Sequence, residues 1–129
     1  MEDVKAPEYD SLAFAYIGDA VWELELRKAV AQRKEKHVKL VTDVKKYVNA
    51  KFQSGLYIEI SEKLSEYELA FARRARNCTI KSYPKSCTPI EYRNATAFEA
   101  LMGYYHLTGQ NWKVEELIKK YIIKGEDVS

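Results

Sequence analysis

Several familiar signatures are missing from this sequence of 129 residues, and each absence narrows the reading. No stretch approaches the run of about 20 apolar residues that spans a bilayer, so no membrane helix is expected. The first residues, MEDVKAPEYDS, carry acids and no apolar core segment. They resemble neither a secretory signal nor an Arg-rich, acid-poor transit sequence, and the expected location is the cytoplasm. Cysteine is scarce: Cys78 and Cys87 stand nine apart, with no second Cys or His pair at zinc spacing. They read as reduced thiols rather than as a disulfide or a structural metal site. Phosphate-cradling glycine loops are absent, both the P-loop and G-x-G-x-x-G, and Ser, Cys and His assemble into no nucleophilic triad. Of the two histidines, His37 reads as surface, and His106 as a packed or hydrogen-bonded helix residue.

Charge of one sign is also lacking in bulk, since the net charge is only +2. Its distribution is uneven. Residues 73–93 hold Arg73, Arg74, Arg76, Lys81, Lys85 and Arg93 against one acid, Glu91, which makes the window +5 and leaves −3 for the rest. A basic segment on a mildly acidic body suits an anionic partner touched at one place, and equally a solvated basic loop.

What the chain has is helical periodicity and the size for one compact domain, here residues 1–129. Leu12, Tyr16, Ala20 and Leu24 repeat every four residues, beside Ala13, Ile17 and Val21, just after the capping residues Asp10 and Ser11. This predicts a first helix over Ser11 to Ala31 with one broad apolar stripe. A second helix is expected over about Lys39 to Gln53, carrying Val41, Val44 and Val48, with Gly55 as a break. Leu56, Ile60 and Leu64 give a short third helix. The S-x-x-E capping box of Ser65 and Glu68 opens a fourth that ends near Arg76. Residues 77–93, with Pro84 and Pro89, read as a long loop. A fifth helix covers about Asn94 to Thr108 with Ala95, Phe98, Met102 and Tyr105 inward. Asn111 caps a sixth that carries Val114, Leu117, Ile118, Tyr121 and Ile122. No strand is evident, and the fold class is all-α with about six to seven helices.

Two carboxylates interrupt this pattern. Asp19 follows Gly18 in the middle of the first helix, at the margin of its apolar stripe and off the open face. Both are poor mid-helix residues and together cost roughly 1 kcal/mol or more relative to Ala. Glu99 lies between Phe98 and Ala100 in a largely apolar run, and Gly103, four residues on, allows another helix to come close. Each acid has two open roles: a structural ion pair, or half of a site for a hard cation. Mg²⁺ needs only one or two protein carboxylates, keeps several waters and accepts phosphate oxygens. It then activates water and stabilises charge at phosphorus. Glu23, one turn after Asp19, is a weaker candidate as an outer ligand. Tyr83 and Tyr92 in the basic loop are candidates for stacking on bases or sugars.

The segments LAFAYIGDAVWELELR and TAFEALMGYYHL carry a resemblance. The first is similar to the signature helix of the ribonuclease III family, L-E-F-L-G-D-[AS]-V. The second is similar to its other acidic segment, D-x-F-E-A-L-x-G-x-x-Y. The likeness extends from about Ser11 to Tyr121 and is nearest to the Mini-ribonuclease III branch, which has the nuclease domain without a double-stranded-RNA-binding domain. VNAKFQS, RRARN and the PK of the loop also look like that branch, and so does the length, with only GEDVS after the last helix. Two positions depart from the larger enzymes, Ala15 and Thr96, where those have Glu and Asp. Mini-III enzymes share these departures and are active.

The resemblance implies a ribonuclease III-type domain that hydrolyses double-stranded RNA, leaving 5′-phosphate and 3′-hydroxyl ends. Asp19 and Glu99 would serve as catalytic and metal-binding residues for Mg²⁺, with Mn²⁺ as a substitute. Arg73, Arg74, Arg76, Asn77, Lys81, Lys85 and Arg93 would bind RNA, with Lys51 and Glu23 in support. It also implies a homodimer, whose twofold axis matches the two antiparallel strands of a duplex. The substrate expected is large-subunit (23S) ribosomal RNA precursor, within ribosome biogenesis, with a ribosomal protein as a candidate accessory and no membrane partner. Ala15 and Thr96 keep a second reading open: a non-catalytic ribonuclease III fold that binds RNA or the ribosome. A helical protein-interaction domain is a third, and it explains the core but neither the acids nor the basic loop.

Overall fold

The computed structural model describes residues 3–123, which form helices α1 (Ser11–Ala31), α2 (His37–Lys45), α3 (Ala50–Ser61), α4 (Glu66–Arg76), α5 (Pro89–Leu107) and α6 (Asn111–Ile118). A π-helical turn, Lys119–Ile123, follows α6, and the described residues include no strand. The closing segment GEDVS lies outside the described residues.

The first helix has the bounds its sequence predicts, but only part of the expected stripe is buried: Val21 is in the core and Ile17 packs against it. Phe14, Ala15, Gly18, Val21, Trp22, Glu25, Leu26 and Val30 point inward. Leu12, Tyr16, Ala20 and Leu24 are exposed. Residues four apart turn 400° on a helix of 3.6 residues per turn, so a strict i+4 series drifts by about 40° per step. The buried set alternates steps of three and four and stays on one side. Asp10 stands at the N-cap position but makes no side-chain cap bond.

The expected second helix is in fact two. The chain leaves helix after Lys45, and Asn49 starts α3, its side chain accepting a hydrogen bond from the Phe52 N–H at 2.9 Å. Gly55 does not break α3, which runs through it to Ser61. Asn at an N-cap outweighs Gly within a turn whose neighbours bury Leu56, Tyr57 and Ile60. The fourth helix opens as expected, with both halves of the Ser65–Glu68 capping box made. The fifth begins five residues earlier than its apolar period suggests. Thr88 and Glu91 form a second complete capping box, and Pro89 occupies the first turn, where its missing N–H costs nothing. The loop therefore spans residues 77–88.

The long helices α1 and α5 cross at the centre, with α3 and α4 packed on α5. Trp22 meets Phe98 edge to face at 4.8 Å, and Phe14 meets Phe71 at 4.9 Å. Burying each such ring contributes about 1.5–3 kcal/mol. Trp22 also donates its indole N–H to the Tyr47 carbonyl at 2.8 Å, which ties α1 to the connection between α2 and α3. The expected inward residues of α5, namely Ala95, Phe98, Met102 and Tyr105, are all buried, as are Val114, Ile118 and Ile122 near the chain's end. No helix among the described residues is long and apolar enough to cross a membrane.

The crossing of α1 and α5 is set by two glycines. A Cβ on Gly18 would stand 1.6 Å from the Glu99 carbonyl oxygen, and one on Gly103 would stand 2.1 Å from the Phe14 carbonyl oxygen. Neither position has space for any side chain, so the two backbones touch. This is the close approach that Gly103 permits in the sequence, now with Gly18 as its counterpart.

Candidate active site

The backbone contact at Gly18 and Gly103 brings together the residues beside it. Asp19 follows Gly18 on α1, and Glu99 lies one turn before Gly103 on α5. Their side chains are in hydrogen-bonding contact. Glu99 is half-buried, whereas Asp19 is exposed, further out than its position in the stripe suggested. Burial first, then the hydrogen bond and the charge of Asp19, push the Glu99 carboxyl up to about 9. Without a cation, Glu99 therefore keeps its proton at neutral pH. Two carboxylates held against each other in this way store repulsion that a bound cation relieves.

Both acids line a cleft of about 450 Å³. Leu12, Ala15 and Tyr16 of α1 contribute to it, with Tyr92 and Thr96 of α5 and the loop residues Thr79, Ile80 and Lys81. Ala15 and Thr96, the two positions that depart from the larger enzymes, thus share one cleft with Asp19 and Glu99. The Thr96 hydroxyl donates to the Tyr92 carbonyl of its own helix at 2.9 Å. Among the described residues no cluster of three or more His, Cys, Asp or Glu side chains could hold a metal. Two carboxylates would suit Mg²⁺ with most of its waters kept and would not suit a cage made wholly of protein ligands.

The other site candidates fall into separate places. Glu23 is not brought to the pair, because its carboxylate accepts from Arg27 at 2.6 Å on the exposed side of α1. Lys51 is exposed in the first turn of α3. Arg73, Arg76 and Asn77 line a second cleft of about 440 Å³ between α3 and α4, with Tyr57 and Ser61 opposite. Arg76 also holds the fold. Its Nε donates to Asn94 at 2.8 Å, and Asn94 donates to Ser54 at 3.1 Å within the core. Arg93 donates to the Tyr83 hydroxyl at 3.0 Å and the Arg76 carbonyl at 3.1 Å, which pins the loop to the end of α4. Arg74 is exposed and lies over the Phe71 ring. Lys81 and Lys85 are both exposed, and only Lys81 lines the acid cleft.

Tyr83 and Tyr92 pack edge to face at 5.7 Å, so each is already in contact with an aromatic ring. Cys78 and Cys87 are free thiols. His37 is exposed in the first turn of α2, and His106 is exposed, with its Nδ1 at 3.1 Å from the Asn111 side chain. That contact uses Asn111 inside α6, and Gln110 takes the N-cap position instead. Sequence reasoning missed the cleft's outer wall, Thr79 and Ile80, because a loop without period gives no sign of what it faces.

Known proteins resemble this chain over most of its length. The ribonuclease III domain model matches residues 12–110. A Mini-ribonuclease 3-like protein of Ilyobacter polytropus is 41% identical over 126 residues, covering 98% of this chain and 99% of that one. A Mini-ribonuclease 3 of Enterococcus faecalis is 39% identical, covering 96% and 95%. A crystal structure of a Fusobacterium nucleatum protein superposes with a TM-score of 0.85 at 41% identity, over 92% of this chain and 95% of that one. With its crossed glycine helices, its acid pair and these relatives, the chain belongs to the ribonuclease III family, in the Mini-ribonuclease III branch that consists of the nuclease domain.

Proposed function

We propose that this protein is a metal-dependent endoribonuclease that hydrolyses phosphodiester bonds in double-stranded RNA at the cleft holding Asp19 and Glu99. The observation that carries this reading is the acid pair itself. Two carboxylates pressed together beside a basic loop would be a liability in a protein that only binds RNA, because like charge repels phosphate. In a hydrolase they hold the cation.

Asp19 and Glu99 are the residues that would bind Mg²⁺, or Mn²⁺ in its place. When bound, the ion supplies positive charge at the scissile phosphate and activates water for in-line attack. Glu99 would have to release its proton to hold the ion, so metal affinity would rise with pH. Arg73, Arg74, Arg76, Asn77, Lys81, Lys85 and Arg93 bind the RNA backbone, with Arg76 and Arg93 also bracing the loop. Lys51 adds charge further along α3. Shape and phosphate contacts dominate recognition of an A-form duplex, so sequence preference is weak.

The exposed apolar face of α1, Leu12, Tyr16, Ala20 and Leu24, supports a homodimer. Tyr16 is 83% exposed and Leu24 54%, and together with Leu12 they make a contiguous apolar strip along one helix. A twofold axis along this face would set two acid clefts near each other, one for each strand. In the cell we assign the protein to the cytoplasm and to maturation of 23S ribosomal RNA precursor, with a ribosomal protein as accessory.

The test is cleavage of duplex RNA with and without Mg²⁺. Asp19→Asn and Glu99→Gln should each lower the single-turnover rate by at least about 10²-fold while RNA affinity is retained. Wild-type rates in both variants would sink the assignment. Ala15 and Thr96 favour one alternative, a non-catalytic RNA-binding module, which predicts duplex binding without cleavage in any divalent cation.

A further inference from the structure

The acid cleft contains one residue whose charge opposes that of its neighbours. Lys81 stands on its rim, contributed by the loop before α5. It makes no ion pair among the described residues, although two carboxylates line the same cleft. Lys81 is thus an exposed lysine of the acid cleft that is ion-paired to neither carboxylate. Arg76 and Arg93, by contrast, are occupied with the fold.

Charge balance says what such a group is for. Two carboxylates and one divalent cation sum to zero. A phosphodiester brings one negative charge, which grows as water adds to phosphorus. The P–O3′ bond then breaks with its electron pair going to O3′, and O3′ takes the proton the water gives up. The products are a 5′-phosphate and a 3′-hydroxyl. With Ala15 and Thr96 lining it beside the pair, the cleft offers no further acids to hold a second cation against this growing charge.

We propose that Lys81 is a catalytic residue, its ammonium donating to a non-bridging oxygen of the scissile phosphate and stabilising the charge that develops there. In this cleft a lysine occupies the role that a second metal ion would otherwise fill. The proposal rests on the nuclease reading above, and it separates Lys81 from the other basic residues, which only hold the RNA.

The test uses Lys81→Ala and Lys81→Arg, each checked for an unchanged melting transition. Under single-turnover conditions with saturating duplex RNA, Lys81→Ala should cut about 10²-fold more slowly, a loss that further RNA does not restore. Lys81→Arg, which keeps the charge, should regain at least about tenfold of that loss. A second readout needs no RNA. Mn²⁺ binding to the protein alone should tighten several-fold in Lys81→Ala and not in Lys81→Arg, because a repelling charge beside the cation is gone. A wild-type rate at saturation with weaker RNA binding would make Lys81 a docking contact and overturn the proposal, as would unaltered Mn²⁺ affinity. Failure of the wild-type protein itself to cut duplex RNA overturns the nuclease reading, and this inference with it.

Discussion

Glu99 illustrates how a site residue weakens the fold that carries it. An ordinary glutamate would be ionised above pH 4.5, whereas this one keeps its proton up to about 9. As pH rises through that window, the unfolded chain releases the proton and the metal-free native state retains it, so stability falls with rising pH. Glu99→Gln removes this slope. In thermal melts without metal the variant should be a few degrees more stable than wild type near pH 8, and no more stable near pH 4. Mg²⁺ should raise the wild-type melting temperature at pH 8 and leave the variant unmoved. An acid that destabilises its own helix is also what made the site legible. Asp19 and Glu99 stood out as carboxylates set where apolar residues belong. Lys81 did not stand out from its basic neighbours, because its meaning depends on which cleft the loop folds over.

Helix α1 was legible in its bounds and not in its orientation, since a drifting i+4 series resembles a core stripe until the helix is wound. Helix α5 shows the opposite case. The T-P-I-E of residues 88–91 is a complete start signal, outranked in the reading by the two prolines that made the region look like loop. Gly55 and Gly18 show why composition alone misleads within a helix. Gly55 is exposed, and a Cβ there meets nothing. Gly55→Ala should therefore stabilise the protein by about 0.5–1 kcal/mol, since Ala is the better helix former. The same change at Gly18 has the opposite sign, because its methyl group would collide with the Glu99 carbonyl. Chemical denaturation of the two variants checks both signs. Gly18→Ala should also lower the cleavage rate, since any relief of the clash separates the helices that carry the acids.

On the scale of the whole molecule, the question is what covers the outer face of α1. If that face joins two copies, Leu24→Asp should shift the protein from dimer to monomer in sedimentation velocity, and paired cuts on opposite strands should become single nicks. A variant that stays dimeric would place the interface elsewhere. The sequence reading found these apolar residues and turned them inward. The structure turns them outward and leaves the core to Trp22, Phe14 and Leu26. The glycine crossing then has a consequence for tolerance to change. Side chains in a core can be exchanged and repacked, and distances that depend on them drift by tenths of an ångström. The spacing of Asp19 and Glu99 rests instead on main chain against main chain, a stop with almost no give. It works as a fixed gauge built into the protein. The surrounding core can vary widely in sequence without detuning the acid pair, provided that Gly18 and Gly103 both remain bare.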